Sequence, residues 1–496
     1  MSEIPCILGL DVSTTASKAV CIDAEGNLLG QAAHEHEQSS PYPLWSEQDP
    51  DAWWHAMCKS IQVVLELPSV DINAVKAIGV TGQMHGLVLL DSHGKILRPA
   101  MLWNDGRAGS QCEMIRERIG LERLVAITGN DAFAGFTAPK LLWVRDHEPG
   151  CYAKIAQILL PKDYIRWKLT GVYAADRAGA GGTLLLDLST RTWAIDLLEA
   201  LDIPESWFPP THEGTESTGA INRVCASETG LLEGTPVYAG GGDQAAQAVG
   251  VGAIHPETWA VTLGTSGVVF APSSQPRIEP LGRAHAFPHA IPGIWHMMGV
   301  MLSAAGSLQW YRDTLARQIS YEQLLSESSE VEAGSEGLYF LPYLTGERTP
   351  HADPLLRGSF IGLTARHHRG HLTRAVLEGV AYGLRDNLQL LYEAGLPAPE
   401  RILISGGGAK SNLWRQILAD IMGHSLSVVE VTEGAAIGAA LLAGTGVGVW
   451  NSIQEACNVT ISVHEQSIPG EAAETYADLH KKFKDLYPRL KAFYHS

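Results

Sequence analysis

The chain has 496 residues, too many for one hydrophobic core, so about two large domains are expected. Apolar residues make up 45% and charged residues 18%, with mean hydropathy near zero, which is ordinary globular composition. A formal charge of −18 argues against nucleic acid or an anionic membrane as a partner. The seven cysteines are scattered and form no CxxC pair, which fits reduced thiols and a cytoplasmic location rather than a disulfide frame or a zinc site. Met1-Ser2-Glu3-Ile4-Pro5 lacks the basic and apolar regions of a leader, and no apolar run is long enough to span a bilayer.

Ile4 to Leu10, Ala16 to Asp23 and a third run after the turn Ala24-Glu25-Gly26-Asn27 read as a β-meander. The loop Asp11 to Thr15 between the first two strands offers N–H and O–H donors suited to phosphate oxygens. Asp11 there could hold a magnesium ion. An ordinary hairpin turn rich in Ser and Thr is the plainer alternative. A helix is expected over Asp51 to Leu67 and a strand over Val75 to Val80. That strand delivers Thr81-Gly82-Gln83-Met84-His85-Gly86 at its end. Leu97 to Trp103 leads into Asn104-Asp105-Gly106-Arg107. Open sheets bind ligands beyond strand ends, so both loops are candidate pocket walls. Gln83, His85, Asn104 and Asp105 are the mix that reads sugar hydroxyls, and Trp103 offers an apolar face for a ring. Taken singly, His85 reads more simply as a structural histidine.

A helix opens near Gly135-Phe136-Thr137-Ala138-Pro139-Lys140, where Lys140 reads as a loop-bridging ion pair or a solvated side chain. Ile155 to Leu160 reads as a strand, Pro161 to Gly171 as a helix, Asp176 to Gly182 as a Gly/Ala-rich loop and Thr183 to Leu188 as a strand. Val237-Tyr238-Ala239 then enters Gly240-Gly241-Gly242, followed by Asp243 and an Ala-rich helix over Gln244 to Val249. Glycines let a backbone turn sharply and approach a ligand. A carboxylate there is either a helix cap or a base that accepts a proton from a substrate hydroxyl.

Thr258 to Leu263, Gly264-Thr265-Ser266-Gly267 and Val268 to Ala271 echo the opening hairpin about 250 residues later. Spacing near half the chain suggests two related domains, 1–252 and 253–496, each presenting a hairpin to one cleft. Trp295 to Leu302 reads as a strand that leads into a helix opening at Ser303 to Trp310. Leu338 to Leu344 ends in Gly346-Glu347-Arg348-Thr349-Pro350, and His371 to Glu393 reads as a long amphipathic helix. The strand Arg401 to Ser405, the turn Gly406 to Asn412 and the helix Leu413 to Met422 make a natural nucleotide pocket, although neither a Walker nor a Rossmann glycine pattern is present. Ser425 to Val431 reads as a strand, Gly434 to Ala440 as a close-packed helix of small residues, and Pro469 to Ser496 as a covering helix. His367-His368 has no partner at metal-ligand spacing and reads as a surface loop.

Collected, these loops make the chain resemble the FGGY family of carbohydrate kinases. The likeness rests on Gly135 to His147, on Gly358 to Leu363, and on His371-Leu372 with Ala375 to Glu378. The resemblance implies an α/β fold of two actin-like ATPase (ribonuclease H-like) domains flanking a catalytic cleft. Asp243 would be the catalytic base. Gln83, Met84, His85, Trp103, Asn104, Asp105 and Gln244 would line the sugar pocket with it. Thr14, Thr15, Lys18, Gly264, Thr265, Ala305, Gln309, Gly408 and Asn412 would hold ATP, and Asp11 would aid Mg²⁺. The expected partners are a small sugar and ATP, with a homodimer compatible with the family. The chain departs from the family at Ser13 and Ala16, where glycine is usual, and at Gly179, where the members it most resembles carry aspartate. A nucleotide-driven actin-like switch is the rival class; it would not need the sugar wall of Gln83, His85, Trp103, Asn104 and Asp105.

Overall fold

The structure, a computed structural model, describes residues 4–430 and 433–495. The first three residues of the leader reading, Val431 at the end of its expected strand and Ser496 of the tail lie outside them. Two sheets dominate, and their strands are numbered here in chain order. In the first half they are β1 (Cys6–Val12), β2 (Ala16–Asp23), β3 (Leu28–Glu35), β4 (Val75–Gly82), β5 (Ser217–Ala220) and β6 (Pro236–Gly242). In the second half they are β7 (Thr258–Leu263), β8 (Gly267–Ser273), β9 (His285–Pro288), β10 (Trp295–Met301), β11 (Arg401–Ser405), β12 (Leu426–Val429) and β13 (Val463–Ser467).

The first sheet has the order β5-β6-β4-β1-β2-β3, the second β9-β10-β8-β7-β11-β12-β13. In each, an antiparallel hairpin is extended by an antiparallel third strand, while its first strand pairs in parallel with the next. The two parallel strands that follow complete the same five-strand pattern in both sheets. The repeat read from two short turns is therefore a repeat of topology.

Helices cover the sheets where the sequence puts an apolar stripe. Pro50–Leu65 begins at Asp49, whose carboxylate accepts the Asp51 N–H at 3.0 Å, and has proline in its first turn. It buries Trp53, Trp54, Met57, Ile61 and Val64 against the first sheet. Arg369–Glu393 runs through the second core. The small-residue helix Gly434–Val447 crosses back and packs under the first sheet. A Cβ at Gly9 of β1 would lie 1.9 Å from the Ala436 carbonyl, and one at Gly79 of β4 1.9 Å from that of Ala439. The same helix meets Asp243–Val251: a Cβ at Gly438 would stand 1.8 Å from the Ala246 carbonyl. The core-packing expectation for this helix holds, and the backbone contacts explain its composition.

Three expected elements differ. Asp176 to Gly182 is not an open loop: Arg177–Gly181 forms a short helix capped by Asp176, whose carboxylate accepts the Gly179 N–H at 2.7 Å. The strand expected over Thr183 to Leu188 shrinks to Leu186–Asp187, since Leu184 takes a left-handed φ of 69°. Lys140 is neither ion-paired nor solvated. It is fully buried and donates to the carbonyls of His85, Met101 and Leu102 at 2.8, 3.2 and 2.9 Å, with burial pulling its pKa down to about 7. No helix among the described residues is long and apolar enough to cross a membrane.

Candidate active site

The three glycines before Asp243 do not leave the sheet. They finish β6, with a register shift against β4 between Tyr238 and Gly241 and a left-handed φ of 65° at Gly240. A Cβ at Gly240 would lie 2.0 Å from the Val80 carbonyl, so only glycine fits. Gly242 is the cap residue, and Asp243 is the first residue of the helix that follows. The cap reading of Asp243 is thereby set aside. Its carboxylate is half-buried and accepts the adjacent Gln244 N–H at 2.8 Å. Burial and the nearby Asp11 carboxylate push its pKa up to about 7, which the Gln244 N–H and Lys162 only partly oppose.

Asp11, near the end of β1, is buried, and burial raises it to about 6. One of its oxygens, Oδ1, accepts no hydrogen bond among the described residues. Two carboxylates whose pKa values burial raises, one with an unused acceptor, make a cation-seeking spot. No group of three His, Cys, Asp or Glu converges among the described residues. An ion held there would therefore take its other ligands from water and phosphate.

The hairpin turn after Asp11 is tied to the sugar-wall loops. Trp103 Nε1 donates to Thr14 Oγ1 at 2.9 Å, and Gln48 Nε2 to the Thr14 carbonyl at 2.7 Å. Gln83 is buried and spans from the Ser13 carbonyl (3.4 Å) to Gln48 Oε1 (3.3 Å), leaving its own Oε1 without a partner among the described residues. Met84 packs where side chains at Gly242 and Gly182 would otherwise stand. His85 holds a left-handed φ of 68°. Its Nδ1 meets the Gly182 carbonyl at 2.6 Å, so Nδ1 carries the proton and Nε2 is an acceptor. Burial lowers its pKa to about 3 and keeps it neutral, and its ring stacks on Phe136 at 4.5 Å. Trp103 presents an exposed face.

Other expected residues are engaged elsewhere. Asp105 is buried and grips Arg107 through both oxygens, while its Oδ2 also accepts the Ser46 N–H at 2.8 Å. Arg107 in turn lies 3.4 Å over the Trp45 ring. Asn104 is exposed and accepts from Ser46 Oγ at 2.7 Å. These two fix the loop that carries Trp103. Lys18 forms a 2.8 Å ion pair with Glu433 of the second half.

Across the cleft, a cavity of about 710 Å³ lies beyond the second hairpin. It is lined by Gly264, Thr265, Ala305, Gln309, Gly407, Gly408, Tyr321 and Trp414. Volume and apolar walls suit a nucleotide. Thr14 and Thr15 sit on the other hairpin. Asn412 stands one residue beyond the wall, with its Oδ1 accepting from Arg415 at 2.7 Å.

Sequence reasoning missed three residues. Gln48 braces the first hairpin. Lys162 is fully buried against Asp163 (2.7 Å) and Asp176, with its pKa lowered to about 8 by burial. Asp176 accepts the Gly242 N–H at 3.2 Å, immediately before the candidate base. Only a close-packed glycine hints at the last pair: a Cβ at Gly179 would stand 2.8 Å from both the Lys162 ammonium and Asp176 Oδ2.

The model of the FGGY family of carbohydrate kinases, N-terminal domain, matches residues 6–250, and that of the C-terminal domain residues 259–447. Xylulose kinase of Escherichia coli (strain K12) is 40% identical over 485 residues, covering 97% of this chain and 99% of that protein. The crystal structure of a xylulose kinase from Rhodospirillum rubrum matches with TM-score 0.93 at 32% identity, over 99% of this chain and 100% of that one. A structure from Brucella ovis described as a xyloylose kinase matches with TM-score 0.92 at 38% identity, over 98% and 100%.

Proposed function

The chain belongs to the FGGY family of carbohydrate kinases, and we propose that it moves the γ-phosphoryl group of ATP to the 5-hydroxyl of D-xylulose. The observation that carries this reading is the half-buried Asp243, raised to about 7 by burial and Asp11, directly after Gly242, which packs on Met84 of the loop that also carries Gln83 and His85. The likeness to xylulose kinases over nearly the whole chain selects the sugar. We also assign residues 1–252 to sugar binding and 253–496 to ATP.

The hydroxyl oxygen attacks the γ-phosphorus while its proton passes to an Asp243 oxygen. The bond from γ-phosphorus to the bridging oxygen breaks, and ADP leaves with that electron pair. A carboxyl with pKa near neutrality is matched to this task, since it is ionised often enough to accept and basic enough to pull. His85 Nε2 accepts from a sugar hydroxyl. Gln83 Oε1 accepts from another, and Trp103 covers the carbon skeleton. Gln244 flanks the base. Thr14 and Thr15 on one side and Gly264 and Thr265 on the other offer donors to the phosphate oxygens. Ala305, Gln309, Gly408 and Asn412 border the nucleoside. Asp11, with its unpartnered Oδ1, fits the Mg²⁺ that accompanies ATP; when bound, that ion supplies positive charge to the phosphate oxygens.

A second sugar remains in view because of Gly179. Gly179 brings no carboxylate and packs on the buried Lys162–Asp176 pair, so another ketopentose or a polyol is the alternative substrate. A sugar panel with coupled ADP detection tests both. D-xylulose should exceed ribulose, ribitol and glycerol in kcat/KM by at least about tenfold, the worth of one well-placed polar contact. ATP turnover indifferent to every sugar would instead favour the switch class.

A further inference from the structure

We propose that Arg348, carried by the second half of the chain, completes the sugar pocket by donating its guanidinium hydrogens to sugar oxygens at the His85 end of the wall. This rests on the sugar-kinase reading above. Arg348 belongs to Gly346-Glu347-Arg348-Thr349-Pro350, a stretch that neither the nucleotide cavity nor the base uses.

Its backbone is held firmly. Glu347 Oε1 accepts both the Arg348 N–H (2.8 Å) and the Leu302 N–H (3.0 Å). Thr349 Oγ1 donates to the Arg283 carbonyl (3.0 Å) and accepts the Val300 N–H (3.2 Å), and the Thr349 N–H donates to the Val300 carbonyl (3.1 Å). The loop is thus stapled to the end of β10, the strand that runs into the helix Ala305–Leu315 beside the nucleotide cavity.

The side chain leaves this loop and crosses to the first half. The guanidinium carbon lies 5.2 Å from the Phe133 ring and 5.7 Å from that of Phe136, the ring on which His85 stacks. Among the described residues, no side chain or carbonyl accepts a hydrogen bond from it and no ion pair claims it. Glu347 is no full counter-charge, because burial raises its carboxyl to about 8. A half-buried guanidinium with five donors, packed on ring faces with no hydrogen-bond acceptor among the described residues, is costly to keep. Its flat fork matches two neighbouring oxygens of a polyol chain. The neutral His85, whose Nε2 is an acceptor, packs on the same Phe136 ring and feels the Arg348 charge. Donor and acceptor together read a hydroxylated carbon chain, and the donor comes from the opposite side of the cleft to the base.

The test compares Arg348→Met and Arg348→Lys with the wild type, on whichever panel sugar the wild type turns over best. Sugar KM, ATP KM, kcat and melting temperature are measured together. Losing a charged donor should raise sugar KM about tenfold or more in the Met variant. ATP KM should stay within about twofold, and lysine should recover part of the loss because it keeps a charge but not the fork. Unchanged sugar KM in the Met variant, or sugar and ATP KM rising together with a falling melting temperature, overturns the proposal. If the Met variant does not fold, the Lys variant decides, with an unchanged sugar KM as the refuting result. A wild type that prefers another sugar overturns the xylulose assignment and leaves this test intact. A wild type that phosphorylates no sugar removes both.

Discussion

Replacing Asp243 by asparagine keeps the shape of the side chain and removes its charge. Two consequences follow, one in rate and one in stability. In rate, losing a general base costs about 10²- to 10⁴-fold in kcat. In stability, the sign is opposite. The folded carboxyl has a pKa near 7 against the ordinary 3.8, because burial and Asp11 disfavour its charge. Below about pH 4 it is protonated in both folded and unfolded chains and contributes no difference. Between about pH 4 and 7 the unfolded chain releases the proton first, so stability is lost as pH rises; above about 7 the penalty is constant. Three units correspond to at most about 4 kcal/mol, and access of cleft water lowers this to roughly 1–2 kcal/mol. The asparagine variant should therefore match the wild type in thermal unfolding at pH 4 and exceed it at pH 8, while being nearly inactive in a coupled ADP assay. Wild-type kcat/KM should rise with pH through about 7. A variant that keeps a tenth of wild-type turnover, or a stability difference independent of pH, would refute the reasoning.

Trp103→Phe keeps the apolar face but drops the Nε1 bond to Thr14 (2.9 Å). Sugar KM should rise about 2- to 10-fold, the value of one neutral hydrogen bond, with circular dichroism unchanged. Gly407→Val adds a side chain where a Cβ meets nothing within 4 Å at the edge of the nucleotide cavity. ATP KM should increase at least about tenfold, with sugar affinity by calorimetry preserved. Gly438→Val drives a methyl group into the Ala246 carbonyl, 1.8 Å from the ideal Cβ. Denaturant melts should record a loss of about 2 kcal/mol or more.

Much of the fold was legible because its signals are local. β2, β7 and β11 occupy the ranges read from apolar runs, and the helix Pro161–Thr170 ends at Gly171, as proline and glycine punctuation requires. The two hairpins announced the repeated sheets. What escaped depends on distant partners. Lys140 reads as a loop-bridging ion pair or a solvated charge until the carbonyls of His85 and of the adjacent Met101 and Leu102 converge on it. Asp105 has the chemistry of a sugar ligand, but Arg107 two residues on takes both of its oxygens. Lys18 has the chemistry of a phosphate ligand, but Glu433 lies more than 400 residues away in sequence and 2.8 Å away in space. Asp176 and Lys162 acquire meaning only when the missing side chain of Gly179 brings them beneath the strand that carries the base.

The placement of Gly434–Val447 beneath the first sheet has a consequence for biosynthesis. Ile7, Val20, Ala77 and Tyr238 share their apolar cluster with that late segment and with Trp450. Roughly 190 residues separate the end of β6 from it, so on a ribosome adding about 5–20 residues per second this surface stays incompletely covered for about 10–40 s. The amino-terminal lobe cannot mature as a vectorially completed unit. A nascent chain halted before Gly434 should expose a sticky, protease-sensitive sheet, and release of about the last eighth of the polypeptide is what seals it.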